Sequence, residues 1–105
     1  MKDAEVFSVA FVDLDGLKQI NDNLGHETGN RALIELANIL KESFRQSDVL
    51  GRLGGDEFAV FIGDANESET ERIRHRIQLN LDSCNALPGR TYRLSFSIGM
   101  SRALR

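Results

Sequence analysis

"RLGGDEFAVF", residues 52–61, sets two glycines and two acids inside strand-like sequence that resumes at once with Phe58, Val60 and Phe61. A tight turn accounts for the glycines, because glycine reaches backbone angles that other residues avoid and Asp tolerates turns. It accounts less well for the adjacent acids Asp56 and Glu57. The stretch therefore reads as a β-hairpin, with strands at residues 49–53 and 58–62 joined by a turn at 54–57 that carries an acidic tip.

Upstream of the hairpin, residues 6–12 are rich in Val and Phe and almost continuously apolar, which predicts a strand buried on both faces. It ends at Asp13. Leu17, Ile20 and Leu24 recur at helical spacing and Gly25 supplies a C-terminal stop, so residues 17–24 read as a helix. A second helix is expected to start at Thr28. Its broad apolar stripe of Ala32, Leu33, Leu36, Ala37, Ile39, Leu40 and Phe44 faces away from Glu35, Asn38, Lys41 and Glu42 and must bury against a sheet.

Downstream, residues 63–67 read as a loop and 68–84 as a third helix with a narrow seam of Ile73, Ile77 and Leu81. Pro88 and Gly89 mark a turn. Tyr92, Leu94, Phe96 and Ile98 then alternate with Arg93, Ser95 and Ser97, which predicts a half-buried strand over residues 92–100, followed by an untied tail at 101–105. The order βααββαβ, with helices covering a mainly antiparallel sheet, defines an α+β sandwich.

With 105 residues, 41% of them hydrophobic, the chain has material for one small domain, residues 1–105. A net charge of −3 argues against a general nucleic-acid binder, which needs clustered Lys and Arg, although it leaves room for a local basic face. The lone Cys84 excludes an internal disulfide and reads as a small buried hydrophobe in a reducing compartment. The N-terminal apolar stretch is too short to span a membrane and has no small-residue cleavage site, so a soluble, cytoplasmic chain without membrane contact is expected.

The acids carry the chemistry. Asp13 and Asp15 lie two apart at the end of the first strand, so both point to one face while the strand continues. If that strand runs beside the hairpin, three or four carboxylates converge with Asp56 and Glu57 at one rim of the sheet. Two like charges ~4 Å apart repel by about 4 kcal/mol at an effective dielectric near 20, so such a rim spreads into water or takes a cation. Mg²⁺ suits it, because that ion uses one or two carboxylates and completes its octahedron with water and substrate phosphates. This is a palm-type arrangement for phosphoryl or nucleotidyl transfer. Solvated turn acids are the plainer reading for any one of these residues taken alone.

Two other motifs fail. "DLDG" from Asp13 echoes a calcium loop, but its glycine comes too early and the position that needs a bidentate Glu is Leu24. Neither glycine cluster is followed by the Lys and Ser or Thr of a nucleotide phosphate loop.

"DLDGLKQINDNLGHETGN", "RQSD", "RLGGDEF" and "FSIGMS", in that order and spacing, closely resemble the GGDEF family of diguanylate cyclases, which condense two GTP molecules into cyclic di-GMP. The resemblance implies a palm-like fold of the nucleotidyl cyclase and ferredoxin-like kind. It implies Mg²⁺, with Mn²⁺ as a substitute, held by Asp13, Asp56, Glu57 and the Leu14 carbonyl, Glu57 otherwise serving to deprotonate the attacking 3′-hydroxyl. Gly54 and Gly55 would let the backbone approach the substrate. Gly16 and Leu17 would offer N–H groups to the β- and γ-phosphates and Lys18 a point charge. Asn21 would read guanine, its amide offering donor and acceptor in one plane.

Asn30 departs from the family pattern, which has Asp there; its amide oxygen still accepts one hydrogen bond but has lost the charge. Arg45 and Asp48 of "RQSD" resemble the family's inhibitory product site, with Arg76 as a second arm, although on residue types alone they read as an ordinary helix end. His26 and Arg52 match family positions and are expected to pack or hydrogen-bond; Asp15 and Asp22 are expected to be structural. The family continues into a helix whose Lys and Arg contact the triphosphate, so the domain reads as truncated at its C-terminus. The resemblance further implies a homodimer for catalysis, GTP and cyclic di-GMP as ligands, and sensory or other signalling domains in the parent protein. A module that binds GTP or cyclic di-GMP without turnover is the competing expectation, and a purely structural domain the third.

Overall fold

The computed structural model describes residues 6–63 and 65–104. Its elements are β1 (Val6–Leu14), α1 (Leu17–Leu24), α2 (His26–Ser43), β2 (Val49–Arg52), β3 (Glu57–Ile62), α3 (Glu67–Asn85) and β4 (Phe96–Leu104). The strands form one sheet in the order β2-β3-β1-β4, and all three neighbouring pairs are antiparallel. The α+β order βααββαβ is therefore the observed one. No described helix is long and apolar enough to cross a membrane.

Alternation along β1 sends Ala10, Val12 and Leu14 into the core, where they meet Leu36 and Leu40 of α2, Val60 and Ile62 of β3, and Ile73 and Ile77 of α3. The opposite face of the sheet stays open. Phe11 is 51% exposed and Phe61 49%, while Phe7 and Val9 are half-buried, so β1 has a neighbour on each edge but a cover on one face only. This corrects the expectation of a strand buried on both faces, because a continuous apolar run cannot distinguish a covered face from an apolar open one.

Tertiary bonds move several element ends. The second helix begins at His26, not Thr28, because Gly25 at φ +93° turns the chain between α1 and α2 in a single residue. The Thr28 hydroxyl donates back to the Leu24 carbonyl at 3.1 Å, so it staples the junction rather than capping a start. The third helix starts at Glu67 behind an Asn66 cap and ends at Asn85.

The last strand begins four positions later than its apolar alternation predicts. Asn85 captures both backbone groups of Leu94, accepting its N–H at 2.8 Å and donating to its carbonyl at 2.9 Å, and so keeps that segment off the sheet. Residues 101–104 of the predicted untied tail are instead the far end of β4 and pair with Val9 to Val6, while Arg105 lies outside the described residues.

Candidate functional site

The register of β1 and β3 sets Asp13 directly opposite Glu57. One step on, the Leu14 N–H donates to the Asp56 carbonyl at 2.9 Å, so the hairpin tip is tied to the end of β1. The Asp13 carboxylate pushes the Glu57 carboxyl above its usual range, first through its charge and then through a shared hydrogen bond, with a smaller push from the Asp56 charge. Two carboxylates thus face each other on the open side of the sheet, with half-buried Asp56 beside them.

The convergence is narrower than three or four side chains. Among the described residues no group of three or more His, Cys, Asp or Glu side chains is placed to hold a metal ion. Asp15 is engaged elsewhere, accepting the hydroxyls of Ser95 at 2.8 Å and Ser97 at 3.1 Å as β4 approaches. That agrees with its expected structural role.

The turn itself works differently from its sequence reading. Neither Gly54 nor Gly55 has a positive φ; among the described residues only Gly16, Gly25 and Gly89 do. Nor does crowding within the chain require them: a Cβ on Gly54 would stand 3.6 Å from Glu57 Oε1, an ordinary contact, and one on Gly55 would meet nothing within 4 Å. Arg52 holds the turn's shape, with Nε donating to the Gly54 carbonyl at 3.0 Å and Nη2 to the Gly55 carbonyl at 2.6 Å. Glu57 belongs to β3 rather than to the turn, and its carbonyl accepts the Leu53 N–H at 2.9 Å.

Beyond β1 the chain bends through Gly16 at φ +71° into α1, which no side chain caps. The first N–H groups of a helix have no partner within it, and here they belong to Leu17 and its neighbours, with Lys18 exposed on the same turn. Asn21 follows one turn later, half-buried against α2. Exposed Asn30 borders a groove of about 390 Å³ together with Leu33, Ile34, Ala37, Arg52 and Phe58, between α2 and the hairpin.

Arg45 and Asp48 lie at the other end of the sheet and bind each other. Asp48, with a fully buried side chain, accepts the Arg45 backbone N–H at 2.8 Å, Nε at 3.2 Å and Nη2 at 3.1 Å. Arg45 Nη2 also donates to the Gly63 carbonyl at 3.1 Å and Nη1 to Glu69 at 3.4 Å. Arg76 comes close through α3, its Nε donating to the Ser43 carbonyl at 2.8 Å. Sequence reasoning missed Glu69: the spacing from Asn66 marks a capping box, but nothing in it signals the reach to Arg45. It missed Gly29 too, because the side chain that needs its small volume belongs to another helix.

A family model described as "Diguanylate cyclase, GGDEF domain" matches residues 1–104. The chain is 38% identical over 95 residues to the probable diguanylate cyclase DgcE of Escherichia coli K12, covering 90% of this chain and 9% of that protein. It is 38% identical over 94 residues to diguanylate cyclase DosC of Escherichia coli K12, covering 88% of this chain and 20% of that protein. A solved structure comprising only the GGDEF domain of YfiN (TpbB) from Pseudomonas aeruginosa is 36% identical, with a TM-score of 0.80 over 93% of this chain and 58% of that one. The chain therefore spans a fifth or less of the two curated relatives.

Proposed function

Because this chain belongs to the GGDEF domain family of diguanylate cyclases, with the palm-like α+β fold of that family, we propose that it condenses two GTP molecules into cyclic di-GMP and two pyrophosphates. The observation that carries the reading is the pairing of Asp13 with Glu57 across β1 and β3, with Asp56 tied alongside by the Leu14 N–H. In the reaction, the 3′-hydroxyl oxygen of one GTP bonds to the α-phosphorus of the other. The α–β phosphoanhydride bond breaks, pyrophosphate carries away the electron pair, and the hydroxyl proton passes to a base. The same exchange in the opposite direction closes the ring.

An all-oxygen, mutually repelling donor set fits a hard divalent cation such as Mg²⁺ or Mn²⁺, with Asp13, Asp56, Glu57 and the Leu14 carbonyl as its protein ligands. When bound, such an ion neutralises charge on the phosphates and polarises the attacked phosphorus. Because no three of these side chains are grouped to hold an ion among the described residues, one or two of the carboxylates would bind it at a time, and water and substrate phosphates would complete the shell. Glu57 alternatively serves as the base that takes the hydroxyl proton instead of binding the ion.

The N–H groups of Gly16 and Leu17 and the charge of Lys18 hold the outer phosphates, Gly54 and Gly55 leave room beside Glu57, and Asn21 and Asn30 recognise guanine from α1 and α2. Each copy offers one such rim, so two copies must face each other as a homodimer. Cyclic di-GMP returning to Arg45 and Arg76, with the buried Asp48 holding Arg45 in place, slows the enzyme, and the domain works in the cytoplasm beneath sensory or other signalling domains of its parent protein.

Turnover of GTP with Mg²⁺, measured beside calorimetric binding of GTP and cyclic di-GMP, tests the reading. Product that falls about a hundredfold or more in Asp56→Asn supports it. Nucleotide binding without any product overturns it in favour of a regulatory module.

A further inference from the structure

We propose that Gly29 is a positioning residue for base recognition, acting through the side chain of Asn21; this rests on the assignment of Asn21 to guanine made above. Gly29 lies near the start of α2, buried where that helix packs on α1. A Cβ placed on it would stand 1.8 Å from Asn21 Oδ1, 2.9 Å from Asn21 Cγ and 3.3 Å from Leu17 Cδ1. The Asn21 amide thus fills the space that any larger residue would take.

Backbone conformation does not explain this glycine. Gly29 is not among the described residues with positive φ, and its N–H donates to the Gly25 carbonyl at 3.2 Å in the ordinary helical pattern. Within a helix glycine is disfavoured against alanine, so its use here needs another reason. The missing Cβ is that reason.

Asn21 has only two side-chain torsions. A methyl group at position 29 can be relieved only by swinging the amide out of its notch or by parting the helices. Recognition of a base depends on which amide atom donates and which accepts, and a rotated amide loses that pattern while the phosphate-facing turn at Gly16 stays as it was. Gly29 therefore governs discrimination between guanine and other purines without touching the nucleotide.

The test uses Gly29→Ala, Asn21→Ala and the double variant in the 105-residue chain, with calorimetric binding of GTP and ATP in Mg²⁺, thermal denaturation, and the side-chain amide resonances of Asn21. Gly29→Ala should weaken GTP binding about tenfold, the cost of one good hydrogen bond, leave ATP binding unchanged, and move the Asn21 resonances without lowering the denaturation midpoint. Asn21→Ala should lose as much, and the double variant no more. Should Gly29→Ala not fold, recovery of folding in the double variant supports the shared-space argument and failure to recover overturns it.

Unmoved Asn21 resonances, additive losses in the double variant, or equal losses for GTP and ATP overturn the proposal. Full GTP affinity in Gly29→Ala beside a weakened Asn21→Ala overturns it too, while leaving Asn21 as the base reader. An unaffected Asn21→Ala, or no GTP binding by the unsubstituted chain, overturns the underlying reading as well.

Discussion

At the scale of single residues, the charges that shape this molecule divide into a pair left in conflict and a cluster brought to rest. Asp13 and Glu57 repel across the ladder, whereas Glu35 is satisfied by Arg90 Nη1 at 2.8 Å, Arg90 Nη2 at 3.0 Å and the Tyr92 hydroxyl. The Arg90 hydrogen bonds hold the Glu35 carboxyl below its usual 4.5. Burial, helped by the bond to Glu35, pushes the Tyr92 phenol up to about 12. The signs differ: Glu35 contributes stability above pH 4.5 that is lost as pH falls through its lowered folded value, and Tyr92 contributes stability below pH 10 that is lost as pH rises through about 12. The Arg90 side chain is only 12% exposed, and Glu35→Ala would strand it, costing about 3 kcal/mol in urea denaturation at neutral pH. With Glu35→Gln the difference from the native chain should shrink as pH falls below 4.5, and a constant difference would deny the ion pair its role. The Asp13 and Glu57 pair was legible in sequence because a strand-end acid and a hairpin acid need only strand pairing to meet. Gly29 was not, since its reason is a rotamer on another helix.

At the scale of elements, periodicity told which segments exist and tertiary hydrogen bonds decided where they end. The alternation of Tyr92, Leu94, Phe96 and Ile98 is real burial, yet the first part of it is fastened to Asn85 and Glu35, so the ladder opens only at Phe96. No pattern in the strand itself records that claim. The start of α3 lies one residue before its expected position, where Asn66 accepts the Glu69 N–H at 2.8 Å and the Glu69 carboxylate accepts the Asn66 N–H at 3.0 Å. Asn66→Ala should cost about 1 kcal/mol of stability. Because the same Glu69 meets Arg45, amide exchange should quicken both in the first turn of α3 and at Gly63, whose carbonyl Arg45 holds. Exchange that quickens in α3 alone would show the two ends to be uncoupled.

At the scale of the whole molecule, β3 separates two chemistries. Six residues at about 3.3 Å each set the Glu57 end roughly 20 Å from Gly63 and the Arg45–Asp48 knot. If cyclic di-GMP binds at the knot as proposed, that distance keeps it from the carboxylate rim of its own copy, and the proposed inhibition would then act through how two copies meet. If two copies are needed, the initial rate of cyclic di-GMP formation in dilute protein should rise as the square of chain concentration. Arg45→Ala should keep that dependence while abolishing the slowing that follows product accumulation. It should also cost about 3 kcal/mol of stability, because Asp48, wholly buried, loses its guanidinium. Rates must therefore be compared well below the variant's melting range. A first-order dependence at concentrations where sedimentation shows the native chain to be monomeric would mean that a single copy carries out both bond formations, and the argument from one rim per copy would fail with it.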